Sequence, residues 1–175
     1  MKQSKKNNIR RMAVYAMLIA LAMIFSYVES QVPPFFAVPG MKLGLTNIVV
    51  VTALYKLGNG SAMLINVLRI VLVSLLFGGV MSMLYSLAGG MLSTAVMIVL
   101  KKTGKFRVIT VSAAGGIAHN VGQIMAAMFV LNTAAVGWYL AILWFTGLLT
   151  GILIGLLGSI LVRRLPDRFF DGVRK

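Results

Sequence analysis

Apolar residues fill six stretches of the chain, at 12–28, 43–57, 62–77, 80–100, 108–131 and 136–162, each closed by a cluster of bases or by turn residues. About 20 consecutive apolar residues carry a helix across a bilayer. The pattern therefore predicts an all-α bundle of six membrane helices, in one membrane domain over residues 1–175. The second and third stretches are the shortest. Lys5, Lys6, Arg10 and Arg11 ahead of the first stretch resemble the start of a secretory signal, but a run this long, followed by five more, reads as a retained span.

Composition strengthens that picture. Of the 175 residues 59% are hydrophobic and 11% charged, with a mean hydropathy of +0.94, whereas soluble domains average about 45–50% apolar and about 25% charged. Six spans and their loops use nearly all of the length, which leaves no room within it for a soluble catalytic domain. The absence of cysteine excludes disulfides, thiolate metal sites and cysteine nucleophiles.

Lys and Arg number 17 against three acids, a formal charge of +14. On a soluble domain this excess would suggest nucleic acid; here the bases cluster at the ends of apolar stretches, as expected beside an anionic cytoplasmic membrane surface. With alternating helices, one side receives Lys2, Lys5, Lys6, Arg10 and Arg11, then Lys56, then Lys101, Lys102, Lys105 and Arg107, and finally Arg163, Arg164, Arg168, Arg174 and Lys175. That arrangement puts both termini in the cytoplasm and makes membrane lipid, not nucleic acid, the surrounding partner. Lys42 is left in the first external loop and Arg69 inside the third helix.

Ionisable residues at membrane depth are costly and mark candidate sites. Arg69 lies about 10 Å along its helix at 1.5 Å per residue, with Asn66 on the same face. It either clasps the bundle, through Glu29 or helix-end carbonyls, or faces a cavity that takes an anionic or carbonyl-rich ligand. Glu29 falls just past the first helix and opens a stretch, 29–42, with three prolines, the Phe35-Phe36 pair and Gly40, which reads as a lid or as a plain interfacial loop. His119, Asn120 and Gln123 form the densest polar group within a helix, suited equally to interhelical hydrogen bonds and to ligand contact. Tyr85 and Ser86, with Ser82 nearby, and Asn47 complete the outer polar set. Arg69, Asn66, Tyr85 and His119 are expected to line one cavity open to the outer side. Lys42, Arg69 and His119 against Glu29 favour an anionic or zwitterionic small molecule. Ala16 and Ala20, four apart on the first helix, permit a close helix contact.

Several chemistries are absent. Gly104-Lys105 is followed by Phe106, so no phosphate-binding G-x-x-x-x-G-K-[ST] loop exists. A lone histidine is no metal site. Three acids cannot build paired aspartate clusters around magnesium and a diphosphate, and no serine–histidine–acid set is available. No catalytic residue and no cofactor is expected.

The runs Lys42-Leu43-Gly44-Leu45-Thr46-Asn47-Ile48, Arg69-Ile70 before Phe77-Gly78-Gly79, Tyr85-Ser86-Leu87-Ala88-Gly89-Gly90 and His119-Asn120-Val121-Gly122-Gln123 resemble a bacterial membrane family labelled heptaprenyl diphosphate synthase component I, or Gx transporter. The similarity extends over about 13–161. That family in turn resembles the substrate-binding S components of energy-coupling factor (ECF) vitamin transporters. The resemblance implies six helices in the bacterial cytoplasmic membrane, a lid after the first helix, and an Ala-xxx-Ala pair, here Ala16 and Ala20, that docks on a coupling subunit energised by an ATPase pair. It implies capture of a small vitamin- or cofactor-like molecule from outside. The synthase label sits poorly with a chain that has no acid between Glu29 and Asp167; it fits only a non-catalytic membrane partner of a separate prenyl diphosphate or quinone enzyme.

Overall fold

The computed structural model describes residues 2–31, 44–170 and 172–173. Among these, all regular structure is helical. Helix α1 spans Lys2–Gln31, α2 Asn47–Lys56, α3 Asn59–Phe77, α4 Val80–Lys102, α5 Val108–Leu131 and α6 Leu140–Arg164, with 3-10 turns at Ala134–Tyr139 before α6 and at Asp167–Phe169 after it. Five segments are long and apolar enough to cross a bilayer: Lys5–Glu29, Asn59–Phe77, Val80–Lys102, Val108–Leu131 and Ala134–Arg164. The chain is a multi-pass membrane protein.

The second predicted span is the exception. The helix expected over 43–57 begins only at Asn47, because Gly44 takes a left-handed φ of +74° and residues 45 and 46 form a turn. Ten residues cover about 15 Å, half of a bilayer core of about 30 Å. Eight of the ten are buried, so α2 is surrounded by protein rather than lipid. Val50, Val51, Ala53 and Leu54 are wholly inaccessible and form the centre of the core. α2 nevertheless runs antiparallel to α1. Its start is tied to the end of α1, where Ser26 Oγ and Thr46 Oγ1 lie 2.9 Å apart and the Gly44 N–H donates to the Glu29 carboxylate. Its end meets the C-terminal segment.

α1 also departs from expectation at both ends, extending beyond 12–28. Hydropathy marks where lipid stops, not where a helix stops, and Lys, Arg and Gln are good helix formers. Glu29 consequently lies within the last turn of α1, not past it.

The end of the bundle that holds both termini is fastened by bases. Lys56 Nζ donates to the Leu165 carbonyl at 2.9 Å and pairs with Asp167 at 2.8 Å. Lys101 Nζ donates to the Leu54 carbonyl at the C-terminus of α2, where a cation also complements the helix dipole. Arg10 donates to the Arg168 carbonyl. The tail then turns inward, burying Phe170 and Val173 in the main core.

α4, α5 and α6 form the most closely packed part of the molecule, and glycines make the approach possible. A Cβ on Gly122 would fall 2.8 Å from the Ala88 carbonyl of α4, and one on Gly151 2.7 Å from the Ala113 Cα of α5. Small residues let membrane helices approach backbone to backbone.

Candidate functional site

The polar residues at membrane depth gather toward the end opposite the termini, between this three-helix slab and α1–α3. Arg69, on α3, is half-buried. Its Nε donates to Asn66 Oδ1 at 2.9 Å and its Nη2 reaches Asn47 Oδ1 at 3.4 Å. Asn66 is 1% exposed, and its own amide donates to the Gly90 carbonyl at 2.9 Å and to Thr94 Oγ1 at 2.8 Å. Asn66 thus stands behind the guanidinium and fixes it to α4. The neutral amides orient Arg69 without neutralising it.

Two cavities meet at Arg69 and Glu29, and both residues line each of them. The smaller, about 40 Å³, is bounded on its other sides by Asn47, His119, Asn120, Gln123 and Thr150. The larger, about 110 Å³, lies between α1, α3 and α4, against Val73, Ser74, Phe77, Ser82 and Ser86. Glu29, in the last turn of α1, and the α3–α4 junction at Gly78 line the larger one, which places it at the end away from the termini.

The predicted site residues divide accordingly. Arg69, Asn47, His119, Asn120 and Gln123 come together around the smaller cavity, and Ser86 joins Arg69 at the larger one. Asn66 lines neither and acts through Arg69. Tyr85 also lines neither, so the single cavity expected to unite Arg69, Asn66, Tyr85 and His119 is replaced by two cavities that share Arg69. Asn120 is partly committed to the fold, since its amide donates to the Leu143 carbonyl of α6. Lys42 and most of the 29–42 stretch lie outside the described residues. Ala16 and Ala20 are exposed on α1, with Ala13 beside them, while Leu18 and Ala22 on the other face are buried.

Sequence reasoning missed Thr150, Ser26, Thr46 and Ser74. Hydroxyls are ordinary in membrane helices because they can bond their own backbone, as Thr150 does to the Thr146 carbonyl at 2.8 Å. Thr150 carried one faint signal: with Thr146 it shares a helix face, and each is followed by a glycine of the α5–α6 seam.

Chemically, the arrangement can hold a small molecule by charge and hydrogen bonds. One guanidinium, one carboxylate, an imidazole and several amides and hydroxyls converge within the bundle, where such bonds gain strength over those in bulk water. A family model described as heptaprenyl diphosphate synthase component I matches residues 18–161. No curated protein and no solved structure matches the chain.

Proposed function

The chain belongs to the heptaprenyl diphosphate synthase component I family, and from that premise we propose that it is the substrate-binding membrane subunit, or S component, of an ECF-type uptake transporter. Its ligand is a small anionic or zwitterionic molecule of the vitamin or cofactor kind, captured from outside the cell. The observation that carries this reading is the convergence of Arg69, Glu29, His119 and Gln123 on cavities away from the termini. A bilayer cannot solvate a guanidinium, and a ligand carboxylate, phosphate or carbonyl set would complete its coordination. The reading takes the protein to lie in the bacterial cytoplasmic membrane with both termini inside, next to the basic clusters. Energy comes from partners, a coupling subunit and an ATPase pair, because the chain has no nucleotide loop of its own. The exposed Ala13–Ala16–Ala20 face of α1 offers the coupling subunit a surface of small residues.

The family's description supports a second reading, a non-catalytic membrane subunit of a prenyl diphosphate or quinone biosynthesis enzyme. Catalysis by this chain is not part of either reading: Glu29 is the sole acid before Asp167, and diphosphate chemistry needs clustered carboxylates to hold magnesium.

Affinity purification of the full chain from its native membrane, with mass spectrometry of proteins and small molecules, separates the two. A coupling subunit, two ATPases and a polar low-mass ligand are expected. Recovery of a soluble prenyl synthase in their place would overturn the transporter reading. A reporter fused after Lys175 should be active only when folded in the cytoplasm.

A further inference from the structure

The two cavities differ in character, and the residues they share decide how they can be filled. Apart from Glu29 and Arg69, the smaller chamber is walled by side chains that are all polar, among them Asn47, His119, Gln123 and Thr150, and by glycine backbone. The larger is mixed: Ile70, Val73 and Phe77 supply apolar wall and four serines supply hydroxyls. One buried water needs about 10–15 Å³ by this measure of volume. The smaller chamber, about 40 Å³, therefore admits a group of a few heavy atoms and excludes a fused ring, while the larger, about 110 Å³, takes a longer part. Arg69 cannot serve one chamber alone. Asn66 and Asn47 hold it from α3 and α2, between the two spaces.

We propose that the chambers form one bipartite site, in which Arg69 and Glu29 grip a charged joint in the middle of the ligand. A compact hydrogen-bonding head of carboxamide or carboxylate size occupies the His119–Gln123–Thr150 chamber. A short, partly aliphatic and hydroxyl-compatible arm occupies the Val73–Ser86 chamber. The ligand is thus a small two-ended polar molecule whose joint carries an anionic group for Arg69 and a hydrogen-bond donor or ammonium for Glu29. This deepens the proposed capture of a small molecule and rests on it for the ligand's existence.

The native chain has no cysteine, so introduced thiols report on each chamber without background. Val73→Cys places one in the larger chamber and Thr150→Cys one in the smaller. The probes are methanethiosulfonates: an anionic sulfonatoethyl reagent, a cationic trimethylammonioethyl reagent, and bifunctional reagents with three- to eight-carbon spacers. In each single variant Arg69 should raise the rate of the anionic reagent relative to the cationic one roughly tenfold, a preference measured against the same variant carrying Arg69→Gln because Glu29 borders both chambers as well. The preference should appear in both chambers; a wild-type-like melting temperature of the Arg69→Gln variant is the control for folding, and Arg69→Lys, which retains the preference, is the second variant. In the double variant, one spacer length should bridge the two thiols within a single chain. Reaction of both thiols with no bridge at any length would overturn the proposal by showing two separate pockets. So would loss of the charge preference in one chamber only, or thiols that react with neither reagent while Trp138→Cys, at an exposed position, reacts freely. None of these readouts needs a partner subunit, so recovery of a synthase in the purification would remove the transporter reading and leave the bridge intact.

Discussion

Arg69 costs the bundle a desolvated charge, and Asn66 is what fixes that charge in place. The amide makes three bonds: it receives Arg69 Nε–H and donates to Gly90 and Thr94. Asn66→Ala removes all three bonds and leaves a guanidinium hydrogen unmatched, which should lower stability by about 1–3 kcal/mol, measured by denaturant or thermal unfolding in detergent. Arg69→Lys separates structure from binding. An ammonium keeps the charge but cannot address Asn66 and Asn47 while presenting a planar fork, so retention of the co-purifying ligand should fall by roughly tenfold or more while the unfolding midpoint stays near that of the native chain. Unchanged retention with a large loss of stability would make Arg69 a clasp. Residues of this kind were legible in the sequence because a charged or amide side chain stands out in an apolar run. Asn66, Arg69, His119 and Gln123 all surfaced that way. What periodicity could not supply was depth behind the surface: Asn66 and Arg69 share a helix face, yet one backs the other and only Arg69 meets the cavity.

At the level of elements, the hydrophobic stretches located every helix, and α5 began and ended at the expected residues. The misses have physical causes. α1 outruns its apolar stretch because its basic extension is itself helix-forming, and α2 is shorter than its stretch because Gly44 turns the chain first. Glycine is frequent along the chain, but the packing partners of those in α5 and α6 were not readable, since a close approach depends on which helix lies opposite. Those partners now permit predictions of opposite sign. A Cβ on Gly116 would collide with the Gly147 carbonyl across the α5–α6 seam, so Gly116→Val should cost at least about 1–3 kcal/mol through overpacking. Gly60, in the first turn of α3, has nothing within 4 Å of the corresponding position, so Gly60→Ala should stabilise by about 0.5–1 kcal/mol through helix propensity. Thermal unfolding of the two variants side by side checks both signs.

For the molecule as a whole, the C-terminal segment holds the end that carries the termini. Its anchors are unequal. The Lys56–Asp167 pair has an acid that is 73% exposed, and Asp167→Asn should change stability by less than about 1 kcal/mol. Phe170, 4% exposed in the main core, should matter more: Phe170→Ala should cost about 3–5 kcal/mol, with faster hydrogen exchange at 165–173. Equal effects from the two substitutions would contradict this division. On the exposed face of α1, Ala16→Trp or Ala20→Trp should block assembly with a coupling subunit and abolish uptake in cells, while the isolated chain still retains its ligand; unaffected uptake would dismiss that face as a docking surface. The slab of α4, α5 and α6 bears on the same question in mechanical terms. It is the fixed jaw of a vice, its helices in backbone contact and unable to yield without breaking the glycine seams. Glu29 sits on the other jaw, near the tip of α1, a helix whose membrane stretch is the least enclosed of the five. His119, Gln123 and Thr150 thus belong to the closely packed side of the site, and Glu29 to its least enclosed helix. The cavity's charge balance is thus set by the position of one helix tip, held to the start of α2 by Ser26 and Glu29 itself.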